Sequence, residues 1–198
     1  MVRCLVLYGT TDGHTARIAR FLAGELAALG ARVNVVEAGT EDPDPADYDG
    51  IVVAASLHGG RFQRGVVRWA RAHAARLAVM PTAFLSVCLG ILQRDLKVQQ
   101  DLVATVDRFK AQTRWGPQRV KLVAGALLYT RYGWLKRMLM RAMSKKAGGG
   151  TDVSRDYEYT DWMDLREFAE GFYAGLVPPV AVAAEPSEAC CVPSGAPG

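Results

Sequence analysis

The sequence predicts a three-layer α/β protein whose centre is a doubly wound parallel sheet of five strands. Three observations predict it. Apolar, β-rich runs alternate along the chain with segments of helical periodicity, the signature of repeated βαβ units. The first, third and fourth runs are apolar at nearly every position, as strands are when helices cover both faces of their sheet. Gly, Pro or Asp turn signals flank most of the runs and separate them from the helices.

Cys4–Tyr8 is the first predicted strand, and Thr15–Leu29 the first helix, stopped at Gly30. Arg32–Val36 is the second strand. Gly39–Tyr48 is acidic and carries Pro43 and Pro45, so it is read as a loop or a single helical turn. Gly50–Ser56 and Thr82–Cys88 form the third and fourth strands, with a helix over Gly65–Leu77 between them. Leu96–Thr113 is the next helix, Val120–Leu128 the fifth strand, and Tyr132–Lys146 and Asp161–Ala174 the last two helices. From residue 176 the composition turns to Pro, Ala, Gly and Ser around Cys190 and Cys191. The expected organisation is one domain over residues 1–175 and a disordered tail over 176–198.

At 198 residues, half of them hydrophobic, the chain is large enough to bury a substantial core. No apolar run reaches the roughly 18–20 residues that a membrane-spanning helix needs, and the N-terminus leads directly into a strand with no apolar signal region. The expected location is therefore the cytoplasm. Cys4, Cys88, Cys190 and Cys191 have no metal-ligand spacing, so neither a bound metal nor a disulfide framework is expected. The net charge of +4 conceals an asymmetry: Arg108 to Thr151 contains basic residues and no Asp or Glu. An anionic partner follows, whether a membrane surface, a nucleic acid or an acidic small molecule.

In an open α/β sheet, ligands bind at the carboxyl ends of the strands near the switch in strand order. Three strand ends matter here. The first is Tyr8-Gly9-Thr10-Thr11-Asp12-Gly13-His14-Thr15, where hydroxyls, backbone amides and the positive end of the following helix can surround a phosphate monoester. Thr10, Thr11 and Thr15 are its hydroxyl donors, Gly13 permits close backbone approach, and the Lys of a nucleoside-triphosphate loop is missing. Taken alone, the same residues suit an ordinary strand-to-helix turn in which Thr and Asp act as caps. The third strand ends Ser56-Leu57-His58-Gly59-Gly60-Arg61-Phe62 and the fourth Ser86-Val87-Cys88-Leu89-Gly90, so small, flexible residues recur wherever a ring could be enclosed.

The first loop resembles that of the flavodoxin family, Thr/Ser-x-Thr-Gly-x-Thr, read here as Thr10-Thr11-Asp12-Gly13-His14-Thr15, with Asp12 in place of the usual hydroxyl residue. An Asp-Gly in this loop is similar to the menaquinone-dependent protoporphyrinogen oxidase family, a flavodoxin-like branch of bacterial heme synthesis. That resemblance runs over about residues 1–175. It includes Tyr48-Asp49, Ala55-Ser56, Met80-Pro81, Ser86-Val87, Trp115, Ala124-Gly125-Ala126-Leu127, Trp134, Gly148-Gly149 and Tyr159-Thr160-Asp161-Trp162. It implies a flavodoxin-like sheet of order 2-1-3-4-5 and FMN as cofactor. The phosphate would rest on Thr10, Thr11, Asp12, Gly13, His14 and Thr15, and the isoalloxazine ring between Ser56, Leu57, His58, Gly59 and Gly60 on one side and Ser86, Val87, Cys88, Leu89 and Gly90 on the other.

The implied reaction is oxidation of protoporphyrinogen IX to protoporphyrin IX in three two-electron steps, with electrons passed to menaquinone or another quinone. Small flavodoxins sandwich the ring between aromatics. Here the second loop offers His58 and Phe62 and the third offers Cys88, which suits a shielded one-electron shuttle poorly. Cys88 either packs at its strand end or tunes the flavin, and His58 is either a polar loop residue or a proton acceptor. No general acid or base is assigned, because a substrate that becomes aromatic on oxidation needs little help with proton abstraction. After the fourth strand the family's basic, Pro-containing stretch is replaced by Gly90-Ile91-Leu92-Gln93-Arg94-Asp95-Leu96. The alternative reading is a flavodoxin-domain electron carrier serving another redox partner.

Arg131–Lys146 places Leu135, Met138, Leu139, Ala142 and Met143 at helical spacing, with Lys136, Arg137, Arg141, Lys145 and Lys146 elsewhere around the helix. Such a segment suits peripheral contact with an anionic membrane, on the inner face of the cell membrane for a cytoplasmic protein, or else a core helix with a basic wet face. Aromatics interleaved with basic residues could stack bases, but no nucleic-acid motif accompanies them, and no nucleic-acid partner is expected. Arg61, Arg64, Arg68, Arg71 and Arg76 run along the helix after the third strand and read as a solvated face.

Overall fold

The computed structural model describes residues 1–127 and 156–177. Five strands lie in one all-parallel sheet: β1 Arg3–Gly9, β2 Arg32–Glu37, β3 Gly50–Ser56, β4 Thr82–Cys88 and β5 Arg119–Ala124. Their order is β2-β1-β3-β4-β5. The register pairs Leu7 with Val53, Val53 with Phe84 and Phe84 with Val120, so the central strands stay in step across the sheet. The chain crosses from one side of β1 to the other between β2 and β3. The carboxyl ends of β1 and β3 diverge there into separate loops.

Period-two alternation sends successive residues to opposite faces, and helices bury both faces. One core contains Cys4, Val6, Val52, Ala54, Ala83 and Leu85 under α1 (His14–Ala28) and α5 (Trp162–Ala174). The other contains Leu5, Leu7, Ile51, Val53 and Phe84 under α2 (Arg64–Ala72), α3 (Ala74–Leu77) and α4 (Leu96–Thr113). Phe84 stacks on Phe109 at 4.3 Å between centroids, with Phe62 edge-on to both at 5.2 Å. Burying each such ring contributes about 2–3 kcal/mol.

Four predicted helices are present with ends shifted by at most one residue, apart from one break. The helix predicted over Gly65–Leu77 is interrupted at His73, whose backbone (φ −103°, ψ 12°) leaves the helical region. Its Nε2 lies 3.2 Å from Asp42 Oδ1 and its ring tilts against Trp69, so contacts made outside the helix override local periodicity. The predicted loop after β2 holds one 3₁₀ turn, Pro45–Asp47, capped by Asp44. Asp95 and Asp161 cap α4 and α5, accepting backbone N–H bonds of 2.8–3.0 Å.

The fifth strand is shorter than the predicted Val120–Leu128. Ala126–Leu127 (β6) leaves the sheet after Gly125 and pairs antiparallel with Tyr157–Glu158 (β7). This two-stranded ladder brings Thr160 beside the start of α1. The helix predicted over Tyr132–Lys146, the matches Trp134 and Gly148-Gly149, and the tail from Pro178 with Cys190 and Cys191 lie outside the described residues.

Candidate functional site

Three loops leave the carboxyl ends of β1, β3 and β4 side by side. In the first, Gly13 adopts the left-handed conformation (φ 89°, ψ −12°) that glycine reaches without strain, and it stands at the N-cap of α1 without a side-chain cap. The opening N–H groups of a fifteen-residue helix are therefore left for another partner. Thr10 Oγ1 accepts the Gly13 N–H at 2.9 Å, which closes the turn and leaves the Thr10 hydroxyl proton free to donate. Thr15 is buried in the first turn of the helix.

Asp12 faces the second loop. Its Oδ2 lies 3.5 Å from His58 Nε2, so the carboxylate bridges two loops instead of capping α1. The second loop is a tight turn in which His58 and Arg61 exchange both backbone hydrogen bonds at 3.0 Å around Gly59 (φ 55°) and Gly60 (φ 73°). A side chain at either glycine would meet nothing within 4 Å. Open space thus faces the turn.

Gln63 ties the loops together, and nothing in the sequence singled it out. Its Nε2 donates to Ser56 Oγ at 2.6 Å and to Thr11 Oγ1 at 3.1 Å. Its Oε1 is buried with no partner among the described residues, as is Ser86 Oγ at the end of β4. A Cβ on Gly9 would stand 2.6 Å from Val66 Cγ2 and 2.9 Å from Gln63 Oε1, so glycine there lets α2 and Gln63 approach the end of β1. Leu57 N–H donates to the Val87 carbonyl at 2.8 Å and joins the second strand end to the third.

Cys88 is buried at the end of β4, and burial pushes its thiol up from the ordinary range, against hydrogen bonds from the Ile91 and Gly90 backbone. It stays a protonated thiol at neutral pH. Val87 is buried in the core beneath α1 and can offer the site only its backbone. Leu89 and Gly90 lead into a 3₁₀ turn, Gly90–Leu92, which Gln99 pins by donating to the Gln93 carbonyl at 2.6 Å. Phe62, an aromatic the second loop offers, packs edge-on against Phe84 and Phe109.

The His14 side chain leaves the first loop and reaches Thr160, 2.7 Å from its Oγ1. Thr160 gives its own proton to the Ala124 carbonyl at 2.7 Å, so the imidazole must donate through Nε2–H. Burial holds the ring below its usual pKa and therefore neutral. The start of α1 is locked to the segment before α5, leaving only the His14 backbone for a ligand.

A family model described as Flavodoxin domain matches residues 5–154. The chain belongs to the flavodoxin-domain family. The protoporphyrinogen IX dehydrogenase [quinone] of Escherichia coli (strain K12) is 35% identical over 169 residues, 85% of this chain and 93% of that protein. The enzyme of the same name from Leishmania major is 38% identical over 176 residues, 87% of this chain and 75% of that one. Oxidised Flavodoxin 1 from Bacillus cereus shares the fold at a TM-score of 0.54 and 13% identity, over 87% of this chain and 97% of its own.

Proposed function

We propose that this protein is an FMN-dependent, quinone-linked dehydrogenase that oxidises protoporphyrinogen IX to protoporphyrin IX in heme synthesis. The observation that carries the cofactor is the junction at Gln63. Its Nε2 bridges Thr11 of the first loop and Ser56 at the end of β3, and its buried, unpartnered Oε1 lies against Gly9 at the root of the first loop, where a hydroxylated chain linking a phosphate to a flat ring would supply the missing donor. The residues fit FMN. Thr10, Thr11, Thr15 and the N–H groups from Gly13 to Thr15 would hold the phosphate, with Asp12 drawn aside by His58. Ser56, Leu57, His58, Gly59 and Gly60 would border one side of the ring, and Ser86, Cys88, Leu89 and Gly90 with the Val87 backbone the other. The substrate assignment rests on the two dehydrogenase relatives.

When bound, FMN would supply the two-electron redox chemistry that links porphyrinogen oxidation to quinone reduction. The balance is one porphyrinogen and three quinones to one porphyrin and three quinols, six electrons and six protons in all. The chain positions both groups and keeps its buried titratable side chains out of proton transfer: Cys88 stays protonated and His14 stays neutral and committed to Thr160.

Membrane contact through Arg131–Lys146 is part of the proposal, supported by the acid-free basic pattern of that stretch. Among the described residues no helix is long and apolar enough to cross a membrane. The test is anaerobic addition of protoporphyrinogen IX and menaquinone to the FMN-loaded protein, read by porphyrin fluorescence. Porphyrin no faster than the uncatalysed control refutes the reaction. An electron carrier would instead be reduced in two separate one-electron steps. Gly13→Val, which forces a β-branched residue to φ 89°, should abolish FMN binding.

A further inference from the structure

A cleft of about 940 Å³ runs between α2 and α4, beginning at Gly60 in the glycine turn. Arg61, Arg64, Arg68 and Arg71 line one side and Arg108 the other, and no Asp or Glu lines it. Arg64, Arg68 and Arg71 share one stripe of α2, about 10 Å long. Arg108 is pre-oriented, its Nη2 donating to Thr105 Oγ1 at 2.8 Å and its Nε to the Ala104 carbonyl.

None of these five guanidiniums has a carboxylate partner among the described residues, and they share one concavity. Five like charges around one concavity repel one another until an anion enters. The floor is apolar, with Phe62, Val67 and Phe109. A ligand suited to both carries its negative charges at one edge of a large apolar body. Bare phosphate meets only the rim. A bilayer fits poorly too: Leu96 and Val103, the large exposed apolar residues of α4, lie on the far side of that helix from Arg108 and Gln112.

We propose that this cleft binds the dicarboxylate edge of the tetrapyrrole, an inference that rests on the function proposed above. The two propionates, adjacent on the macrocycle, pair with the Arg64–Arg68–Arg71 stripe and with Arg108 as bidentate carboxylates. The macrocycle lies along the apolar floor toward Gly60 and the second loop.

The test uses full-length, FMN-loaded protein, with protoporphyrin IX binding read by fluorescence quenching. The triple variant Arg64→Gln/Arg68→Gln/Arg71→Gln is compared with wild type and with Arg76→Gln, which lies on α3 outside the cleft. The triple variant should bind protoporphyrin IX at least about tenfold more weakly and show a KM for protoporphyrinogen raised by a similar factor. Its flavin spectrum should match wild type and its unfolding midpoint should be no lower, because the substitutions relieve like-charge repulsion, and Arg76→Gln should change neither constant. Protoporphyrin dimethyl ester, which lacks the carboxylates, should not distinguish triple variant from wild type. Unchanged protoporphyrin binding in the triple variant overturns the inference. So does intact porphyrin binding with lost binding to phosphatidylglycerol vesicles, which would make the stripe a membrane contact. A wild type that binds porphyrin through these arginines yet never turns over supports the cleft and refutes the reaction, so the two readings fail separately.

Discussion

Replacing Thr160 by valine tests whether the His14–Thr160–Ala124 chain fastens the first loop. Valine matches threonine in shape, so packing is conserved while the hydroxyl is lost. Two groups are stranded: the His14 Nε2–H and one lone pair of the Ala124 carbonyl, both 2.7 Å from Thr160 Oγ1. Thr160 and His14 are each 9% exposed, so water can replace the hydroxyl only in part. A buried group left unpaired costs about 1–3 kcal/mol, and the carbonyl retains its second lone pair, so we expect a loss of about 2–3 kcal/mol. Urea unfolding should show the midpoint lowered by about 1–2 M with an unchanged slope. Thr160→Ser, which keeps the hydroxyl, should lose less than about 1 kcal/mol. FMN affinity should fall with Thr160→Val as well, because His14 is the first residue of the helix proposed to face the phosphate. A valine variant within about 0.5 kcal/mol of wild type, or a serine variant that is the more damaged, refutes the reasoning.

Gly24 is exposed within α1 with nothing within 4 Å of an added Cβ, so Gly24→Ala should stabilise the protein by about 0.5–1 kcal/mol in the same urea assay. Gly65→Ala should do the opposite, because its Cβ would lie 2.4 Å from the Ala38 carbonyl oxygen and backbone must move; a loss of about 1–3 kcal/mol is expected, and a neutral result would contradict the packing of α2 on that loop. Gln63→Ala removes the bridge between Thr11 and Ser56, and its FMN affinity, measured by flavin fluorescence, should drop about tenfold while the fold persists. The buried His14 has its pKa lowered, so the unfolded chain takes up the proton first as pH falls: its contribution is intact above the unfolded value of about 6.5 and is lost as pH drops through the lower folded value. His14→Gln should flatten that part of the stability profile below about pH 6.5, and an unchanged slope would exclude His14 as its source.

Leu96–Thr113 was legible to the residue, and β3 and β4 likewise, because local rules govern them: periodicity, an Asp cap, and apolar runs bounded by Pro or Gly. Two of the three glycine-bearing strand ends were legible too, since a left-handed Gly13 and the Gly59-Gly60 turn require glycine whatever surrounds them. The break at His73, the departure of Ala126–Leu127 from the sheet and the packing of Phe62 on Phe109 were not. Each answers to a partner remote in sequence. Gln63 shows this most clearly: one amide among many in the sequence, it becomes the junction of two loops only when Gly9 allows α2 to close against β1.

The order of apolar and polar residues thus determined by itself the layers, the parallel sheet and the place of the three strand-end loops, because burial and backbone conformation are local costs that a sequence displays directly. Tertiary structure alone decided where Asp12 and His14 point and what the arginines of α2 face. Those outcomes depend on side chains from separate elements meeting in space, so the same stripe is an ordinary wet face on an isolated helix and the wall of a cationic cleft beside α4.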